Sequence, residues 1–338
     1  MAELTTPPTT LPASMQAICI RQPGGPEVLR LEQLPLPVPG PGQMLVRVHA
    51  AAVNPIDWRI RSSGRRLSGD AGPYVPGFDL SGVVVSIGPQ VSRFKPGDEI
   101  FAMLDLRRGG AYAEYAVVSE SEAAGKPASA SFLQAAAVPL VALTAWQALF
   151  DTAALQPGQT ILIHGGAGGV GSMAVQLAKW KGATVIATAS AGNHEFLRSI
   201  GADRVIDYRT ERFEQIVRDV DVVLDTVGGD TQTRSFQVLR RGGILVSIVG
   251  PPSRKLAEEA GVRVASILVR PDFRQLAQIA QLIDAGQIKP VVSHVFPLSQ
   301  AAAAHQQSET RHTRGKIVLE IVADKPQPAT APAATGAP

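Results

Sequence analysis

The chain has 338 residues, 45% of them hydrophobic and 18% charged, and its net charge is +3. This length suffices for two domains of ordinary size, and the single cysteine, Cys19, excludes a disulfide framework and a four-cysteine zinc site. The interspersed charges argue against a nucleic-acid partner, and no apolar stretch approaches the roughly 18 residues of a membrane helix. Because the N-terminus lacks the features of a signal sequence, we expect a cytoplasmic protein without a membrane partner.

The N-terminal part of the chain has the pattern of a β-rich domain. Residues 1–14 and 323–338 are rich in Pro, Thr and Ala, and we predict that both ends are disordered. Between residues 15 and 137, short β-type runs alternate with Gly/Pro turns, which favours an all-β or β-rich fold of partly open barrel character. The predicted strands are Ala17–Ile20, Met44–Ala52, Gly82–Ile87, Glu99–Ala102 and Ala111–Val118.

From about residue 138, strand-like and helical segments alternate, which predicts a doubly wound sheet of six parallel strands. The predicted strands are Thr160–His164, Thr184–Thr188, Arg204–Asp207, Asp221–Asp225, Gly243–Val249 and Val262–Val269. The predicted helices are Gly169–Lys181, Asn193–Ile200, Glu211–Asp219 and Asp230–Leu239. The later segments have no place in this sheet, so we expect them to complete the first domain: Phe273–Ala285, residues 291–298, Ser299–Thr310 and Lys316–Val322.

The segment that joins the first strand of this second domain to its first helix has five glycines among residues 165–171. Glycines permit a tight turn and let the backbone approach a pyrophosphate, whose charge then meets the first amides of the helix. The alternative is a glycine-rich turn without a ligand. The order of strand, loop, helix and second strand favours a dinucleotide site. The predicted binding residues are Gly166, Ala167, Gly168, Gly169 and Val170.

The end of the second strand of this domain indicates which nicotinamide cofactor binds. An NAD site usually has Asp or Glu there to bind the ribose hydroxyls, whereas this strand ends Ala187-Thr188-Ala189-Ser190. Without a carboxylate, a 2′-phosphate is not repelled, and Ser190 and Asn193 can donate hydrogen bonds to it. We therefore predict NADPH as the cofactor.

The chain resembles the zinc-independent quinone oxidoreductases, the zeta-crystallin-like branch of the medium-chain dehydrogenase/reductase superfamily. The resemblance covers about residues 15–322 and rests on seven motifs in the family's order: AAVNPIDWRIRSSG (51–64), VPGFDLSGVVVSIGPQVSRFKPGDEIFA (75–102), GGAYAEYAVV (109–118), AAAVPLVALTAWQAL (135–149), HGGAGGVGSMAVQLAK (164–179), GADRVIDYR (201–209) and TRGKIVLEI (313–321). It implies a GroES-like catalytic domain formed by residues 15–137 and 269–322, and a Rossmann NADP-binding domain at 138–268.

The resemblance also implies an enzyme without zinc. Zinc-dependent relatives have a cysteine in the first motif and Gly-His-Glu in the second, whereas this chain has Asn54 and then Gly77-Phe78-Asp79. The cysteine-rich lobe that holds structural zinc is missing, and the six histidines show no ligand spacing. Catalytic zinc needs three protein ligands, so we expect no metal site.

Five site residues are implied by the resemblance. Asn54 matches the asparagine that faces the nicotinamide half of the cofactor, and it is the catalytic candidate because it could orient the acceptor. Thr144 matches a residue near the pyrophosphate and the nicotinamide ribose. Asn193 matches a position that is often Lys for the 2′-phosphate, Tyr208 a tyrosine beside that phosphate, and Arg311 an arginine that reaches it across the cleft. Tyr208 could instead be a strand-end aromatic between helix and sheet.

The implied reaction is hydride transfer from the nicotinamide to a conjugated acceptor, which needs alignment more than acid–base catalysis, with the proton supplied by solvent. The first candidate is a quinone reductase, and the second reduces 2-alkenals or enoyl thioesters. A third is an NADPH-binding structural or regulatory protein with little turnover. Relatives commonly pair the edge strands of two Rossmann domains, so we expect a homodimer through Gly261–Val269.

The acceptor is expected between the two domains, because the cofactor lies at the ends of the Rossmann strands and Asn54 belongs to the first domain. The predicted lining is mostly apolar and suits a planar quinone or enone. It comprises Asn54, Ile56, Tyr74 and Thr144 on one side and the segment Leu268–Pro271, with Arg270 as its cation, on the other.

Overall fold

The computed structural model describes residues 11–64 and 73–322, so residues 1–10 and 323–338 of the predicted disordered ends lie outside it. The N-terminal part contains β1 (Ser14–Cys19), β2 (Arg30–Pro35), β3 (Gln43–Val53), α1 (Pro55–Ser63), β4 (Asp79–Ile87), β5 (Glu99–Met103), β6 (Tyr115–Ser119), β7 (Ala123–Gly125) and α2 (Phe132–Ala136). The middle part contains α3 (Pro139–Trp146), β8 (Thr160–Ile163), α4 (Gly169–Trp180), β9 (Thr184–Ala189), α5 (His194–Ser199), β10 (Arg204–Asp207), α6 (Phe213–Ile216), β11 (Val220–Asp225), α7 (Gly229–Ser235), β12 (Leu239–Ser247), α8 (Arg254–Ala260) and β13 (Arg263–Ser266). The C-terminal part contains α9 (Phe273–Asp284), β14 (Val292–Pro297), α10 (Ala301–Glu309) and β15 (Lys316–Glu320).

The first sheet is centred on β3, an eleven-residue strand that is buried along most of its length. Among the described residues, seven strands form this sheet in the order β14-β15-β3-β4-β5-β7, with β6 also paired to β3, while β1 and β2 form a separate pair. The pairs are antiparallel except β14 with β15. Two strands from the end of the chain therefore join a sheet of strands from its beginning, with β15 paired to β3. The domain boundaries near residues 138 and 268 stay predictions.

The second sheet confirms the predicted Rossmann domain. Its six strands, counted within the described residues, have the order β10-β9-β8-β11-β12-β13, and every neighbouring pair is parallel. The strand order reverses between β8 and β11, and ligands of open α/β sheets bind in the crevice beyond the strand ends at such a point. The glycine loop leaves β8 at this crevice. The fold is thus a GroES-like sheet domain combined with a six-stranded parallel Rossmann domain.

Helix α3 connects the two sheets through a shared core. All residues from Pro139 to Ala145 are buried, as expected for a helix that is apolar on every side. The main hydrophobic cluster accordingly includes residues of both sheets, such as Phe101 of β5 and Ile161 of β8. Within the described part of the chain, no helix is both long and apolar enough to cross a membrane.

Several predicted elements differ from the structure at their ends. Ser14 belongs to β1, although residues 1–14 were expected to be disordered. The helix predicted over Glu211–Asp219 is reduced to α6, because the backbone is already extended at Val217, and Asp219 then adopts a φ of +56°. The strand predicted over Ala111–Val118 begins only at Tyr115, since the residues before it make a single bridge to β1. Helix α1 lies in a motif for which no structure was predicted, whereas α3 contains Thr144, whose segment was expected to be helical.

Candidate active site

The glycine loop lies between β8 and the first turn of α4. Gly165 has a φ of +64°, which favours glycine, and a Cβ on Gly171 would lie 2.8 Å from Gly166 Cα. The N-cap of α4 is Gly168, which has no side chain to cap the first amides of the helix. No side chain of the N-cap therefore competes with an anion for these amides, and the loop fits a pyrophosphate. Of the other predicted residues, Ala167 lies in the loop, and Gly169 and Val170 are the first two residues of α4.

The turn after β9 brings together two predicted residues and one that was not predicted. Asn193 Nδ2 donates a hydrogen bond to Ser190 Oγ at 3.2 Å. Arg314, which precedes β15, donates from Nε to Asn193 Oδ1 at 2.8 Å and from Nη2 to the Gly192 carbonyl at 2.9 Å. The end of β9 thus combines a hydroxyl, an amide and a guanidinium. This is the edge at which a Rossmann domain discriminates between a ribose hydroxyl and a 2′-phosphate.

Tyr208 and Arg311, the two remaining residues predicted for the 2′-phosphate, lie in different places. Tyr208 directly follows β10, where Asp207 pairs with Ala189, so it lies one strand away from Ser190 at the same edge. It is 53% exposed, which is inconsistent with an aromatic packed between helix and sheet. The guanidinium of Arg311 lies 5.8 Å from the centre of the Trp58 ring on α1. Arg314, and not Arg311, contacts the turn after β9.

Asn54 is completely buried at the start of α1, where all its polar groups have partners. Its Nδ2 donates to Asp79 Oδ2 at 2.9 Å and to the Ala52 carbonyl at 3.4 Å, and its Oδ1 accepts from Lys316 Nζ. Lys316 Nζ lies 3.6 Å from Asp79 Oδ2 and donates to the Val53 carbonyl at 2.8 Å. Burial raises the pKa of Asp79 and lowers that of Lys316, and their mutual attraction opposes both shifts. The structure therefore fixes Asn54 in one orientation.

A buried hydrogen-bond chain continues behind Asn54. Asp57 Oδ2 accepts from the Asn54 backbone N–H at 2.7 Å and from Tyr112 Oη at 3.0 Å. Tyr112 Oη lies 3.3 Å from His305 Nε2, and Arg61 Nη1 lies 3.1 Å from His305 Nδ1. Because arginine only donates, Nδ1 accepts and the histidine proton is on Nε2. Burial raises the pKa of Asp57 to about 7 and, with the charge of Arg61, lowers the pKa of His305 to about 3.

The lining predicted for the acceptor is only partly assembled. Thr144 is buried on α3 and donates its hydroxyl to the Leu140 carbonyl at 2.6 Å. One turn later, Gln147 makes two hydrogen bonds to the backbone of Arg270, which attaches the segment 268–271 to the end of α3. In that segment Leu268 is 69% exposed, and the Arg270 guanidinium pairs with Asp272 at 3.0 Å. Arg270, the cation predicted for the lining, thus forms an ion pair with Asp272.

Tyr74 lines a cavity of the first domain. Its backbone pairs with Ile20 in an isolated bridge, and it lines a cavity of about 600 Å³ that also contacts Arg107, Arg108 and Tyr115. Asn54 and Thr144 do not line this cavity, and Ile56 is partly buried against the main core. Tyr74 nevertheless belongs to the main core against which Ile56 packs, so its place in the acceptor lining stays a prediction.

The positions that hold zinc in other branches have a different chemistry here. Phe78 is completely buried in the hydrophobic core, and Asp79 pairs with Lys316. Across residues 11–64 and 73–322, no three His, Cys, Asp or Glu side chains are grouped so that they could hold a metal ion.

Comparisons with known proteins agree with this architecture. A family model described as "Alcohol dehydrogenase GroES-like domain" matches residues 40–128, and one described as "Zinc-binding dehydrogenase" matches residues 200–319. The chain is 35% identical to human NAD(P)H oxidoreductase RTN4IP1, mitochondrial, over 93% of this chain and 91% of that protein. It is 36% identical to the NADPH-dependent alkenal/one oxidoreductase, chloroplastic, of Arabidopsis thaliana, over 93% and 81% of the two chains.

A solved structure shows the same fold. The Escherichia coli quinone oxidoreductase complexed with NADPH matches with a TM-score of 0.83 and 31% identity, over 90% of this chain and all of the other. With the two family models and relatives of this identity and coverage, the chain belongs to the quinone oxidoreductases of the medium-chain dehydrogenase/reductase superfamily.

Proposed function

We propose that the protein is an NADPH-dependent reductase that transfers hydride to a quinone without a metal ion. Two features together support the proposal. The helix after the glycine loop has no capping side chain, and the end of β9 has no acidic residue and is contacted by Arg314. The bound cofactor supplies the hydride. The chain's own residues bind the pyrophosphate at Gly166–Val170 and surround the 2′-phosphate with Ser190, Asn193 and Tyr208.

The nicotinamide half is proposed to lie near Asn54 and Thr144. Because Asn54 is completely buried and Lys316 and Asp79 hold its amide, its proposed role is to make this side of the site rigid, so that cofactor and acceptor stay aligned. An electron-poor quinone or enone needs little more than this alignment. The proton is proposed to come from solvent.

The proposal that no metal ion takes part is supported by the ion pair that Asp79 forms with Lys316. The ammonium group of Lys316 lies 3.6 Å from its carboxylate and takes the position of a counter-cation, so a divalent ion would meet a positive charge there. We expect purified protein to contain no stoichiometric zinc and to keep its activity in the presence of a chelator. Elemental analysis that finds one tightly bound zinc per chain would contradict this.

A second candidate function is the reduction of α,β-unsaturated carbonyls, favoured by the 36% identity to an alkenal/one oxidoreductase. A third is NADPH binding with little turnover, in a structural or regulatory role. The test is NADPH oxidation measured against a panel of quinones, 2-alkenals and enoyl thioesters. Turnover with quinones alone supports the first candidate, turnover with enones alone the second, and tight NADPH binding without turnover the third.

We also propose a homodimer. Strand β13 is an edge of the Rossmann sheet, and Leu268 beyond it is 69% exposed, so a second copy could extend the sheet there. Light scattering at micromolar concentration tests this, and a monomer would contradict it. A cytoplasmic location stays a prediction, which cell fractionation can test.

A further inference from the structure

A π-helical turn follows the helix that carries Thr144. Helix α3 continues with a wider geometry over Gln147–Thr152, in which the Ala153 N–H donates to the Ala148 carbonyl, five residues back, at 3.0 Å. Such turns are rare and occur frequently at functional sites. The first side chain of this turn, that of Gln147, is only 6% exposed, so its amide needs hydrogen-bond partners within the protein.

The Gln147 amide finds these partners in the chain that follows β13. Its Nε2 donates to the Arg270 carbonyl at 2.8 Å and to Gln275 Oε1 at 3.0 Å. Its Oε1 accepts from the Arg270 N–H at 3.1 Å. Both amide hydrogens and the oxygen are therefore engaged, and two of the three bonds go to the backbone of one residue.

These two bonds anchor the backbone of the segment 268–271. On one side of the segment, the Ile267 N–H bonds to the Ser247 carbonyl, and on the other side Asp272 caps α9. Between these points, the described part of the chain shows no other hydrogen bond to the backbone of the segment. Removal of the Gln147 amide therefore releases this backbone, while β13 and α9 keep their own bonds.

The segment 268–271 leaves the Rossmann sheet at the edge where ligands bind. Strand β13 ends at Ser266, which pairs with Ser247 at the end of β12. In the sheet order, β9 and β13 lie on opposite sides of the reversal between β8 and β11. A dinucleotide lies across this reversal, so a cofactor with its adenosine end at β9 has its nicotinamide in the half formed by β11, β12 and β13. The segment therefore leaves the sheet in the half where hydride transfer is proposed.

Resting on the proposed hydride transfer to a quinone or enone, we infer that Gln147 is a positioning residue that holds the segment 268–271 at a fixed distance from Thr144, and that this distance selects the size of the acceptor. Gln147 and Thr144 lie about one turn apart on one continuous helix, so their spacing is rigid. A wall held in this way discriminates by shape, and a misplacement of about 1 Å costs about 100-fold in rate.

Gln147→Ala tests the inference with acceptors of increasing size: 1,4-benzoquinone, 1,4-naphthoquinone and 9,10-phenanthrenequinone. We expect the KM for benzoquinone to rise about tenfold or more, because a small ring no longer meets a fixed wall. The ratio of kcat/KM for phenanthrenequinone to that for benzoquinone should rise at least about tenfold. The Kd for NADPH should change by less than about twofold, since the glycine loop is untouched.

Two further variants separate the hydrogen bonds of Gln147 from its packing. Gln147→Met keeps the length of the side chain but has no amide, and it should behave as Gln147→Ala. Gln147→Glu still accepts from the Arg270 N–H but cannot donate to the Arg270 carbonyl, and it should give an intermediate ratio.

The matched control is Gln176→Ala. Gln176 is 5% exposed on α4, and it binds the N–H and the carbonyl of Lys289 in the same way, at 2.7 and 3.1 Å. This variant should lose thermal stability to a similar extent as Gln147→Ala and keep the acceptor ratio of the unmodified protein. A purely structural role of Gln147 would make the two variants alike.

Hydrogen exchange measured by mass spectrometry reports on the segment without turnover. Peptides that cover residues 267–272 should exchange faster in Gln147→Ala, because the Arg270 N–H loses its acceptor, and should be unchanged in Gln176→Ala.

Each alternative result overturns a stated part of the inference. If exchange of these peptides is unchanged in Gln147→Ala, Gln147 does not hold the segment. If exchange accelerates but the acceptor ratio stays the same, or if Gln176→Ala shifts the ratio equally, the segment does not select the acceptor. If the unmodified protein oxidises NADPH with neither quinones nor enones, the proposed function itself is wrong, whatever the exchange experiment shows.

Discussion

Replacing Gly171 by alanine tests whether the glycine loop is shaped for a dinucleotide. The added Cβ would lie 2.8 Å from Gly166 Cα and 2.9 Å from Gly165 C, and closer still to the Gly165 carbonyl oxygen. All three neighbours are backbone atoms, so rotation of a side chain cannot relieve the clash. To reach ordinary contact at 3.4 Å, the loop and the first turn of α4 must separate by more than about 1 Å, because the Gly165 carbonyl oxygen is the closest of the three atoms.

This separation should weaken cofactor binding more than it weakens the fold. Overpacking of this kind costs about 1–3 kcal/mol of unfolding free energy. The same shift misaligns the loop amides toward the pyrophosphate, and the loss of one or two charge-assisted hydrogen bonds corresponds to about 3 kcal/mol, or roughly a 100-fold rise in the Kd for NADPH. A folded protein with severely weakened NADPH binding is therefore the expected result.

Calorimetric titration of NADPH, together with thermal unfolding, measures both quantities. The control is Gly125→Ala on β7, where an added Cβ meets no atom within 4 Å and binding should be unchanged. A folded Gly171→Ala protein that binds NADPH as tightly as the unmodified chain would refute the assignment of this loop to the pyrophosphate.

Three further substitutions test other parts of the site. Ser190→Asp places a carboxylate at the end of β9, and repulsion of the 2′-phosphate should shift the NADPH/NADH ratio of kcat/KM at least about tenfold toward NADH; an unchanged ratio would count against this location. Thr144→Trp should lower turnover about 100-fold by displacing the nicotinamide or the acceptor while 2′,5′-ADP binding survives, and unimpaired quinone turnover would mean that the active site lies elsewhere. Asp57→Asn concerns pH: burial raises the pKa of Asp57 from 3.8 to about 7, so the folded state loses stability as pH rises from about 4 to 7. The variant should lack this loss of unfolding free energy, which amounts to a few kcal/mol between the two pH values and can be measured by denaturant titration. Identical pH dependence in both proteins would contradict the raised pKa of Asp57.

Features that depend on neighbouring residues were predictable from the sequence. The β-rich first part, the six alternating strands and the glycine loop follow from short-range periodicity and from residues with special backbone freedom, such as Gly165. The acid-free end of β9 could be located to within a residue, because Ala189 and Ser190 come directly after a run of strand-forming residues. These predictions need no knowledge of which distant segments meet.

The ends of elements were less predictable. Asp219 adopts a positive φ inside an apparently helical run, and the chain leaves α7 at Ser235 to begin β12 at Leu239, earlier than its apolar pattern indicates. The packing of the whole sheet decides where such a segment turns, and local propensity competes with it only weakly.

Only the tertiary structure decided which side chains share the site. Lys316 meets Asn54 across 262 positions of sequence, and their contact depends on β15 lying beside β3. Arg311 and Arg314 are three residues apart, yet one lies over Trp58 and the other reaches Asn193. The backbone turns between them, with positive φ at Arg311 and at Gly315. Sequence alone identifies that arginines are present in this segment. The direction in which each one points is set by a turn whose conformation only the packed domains determine.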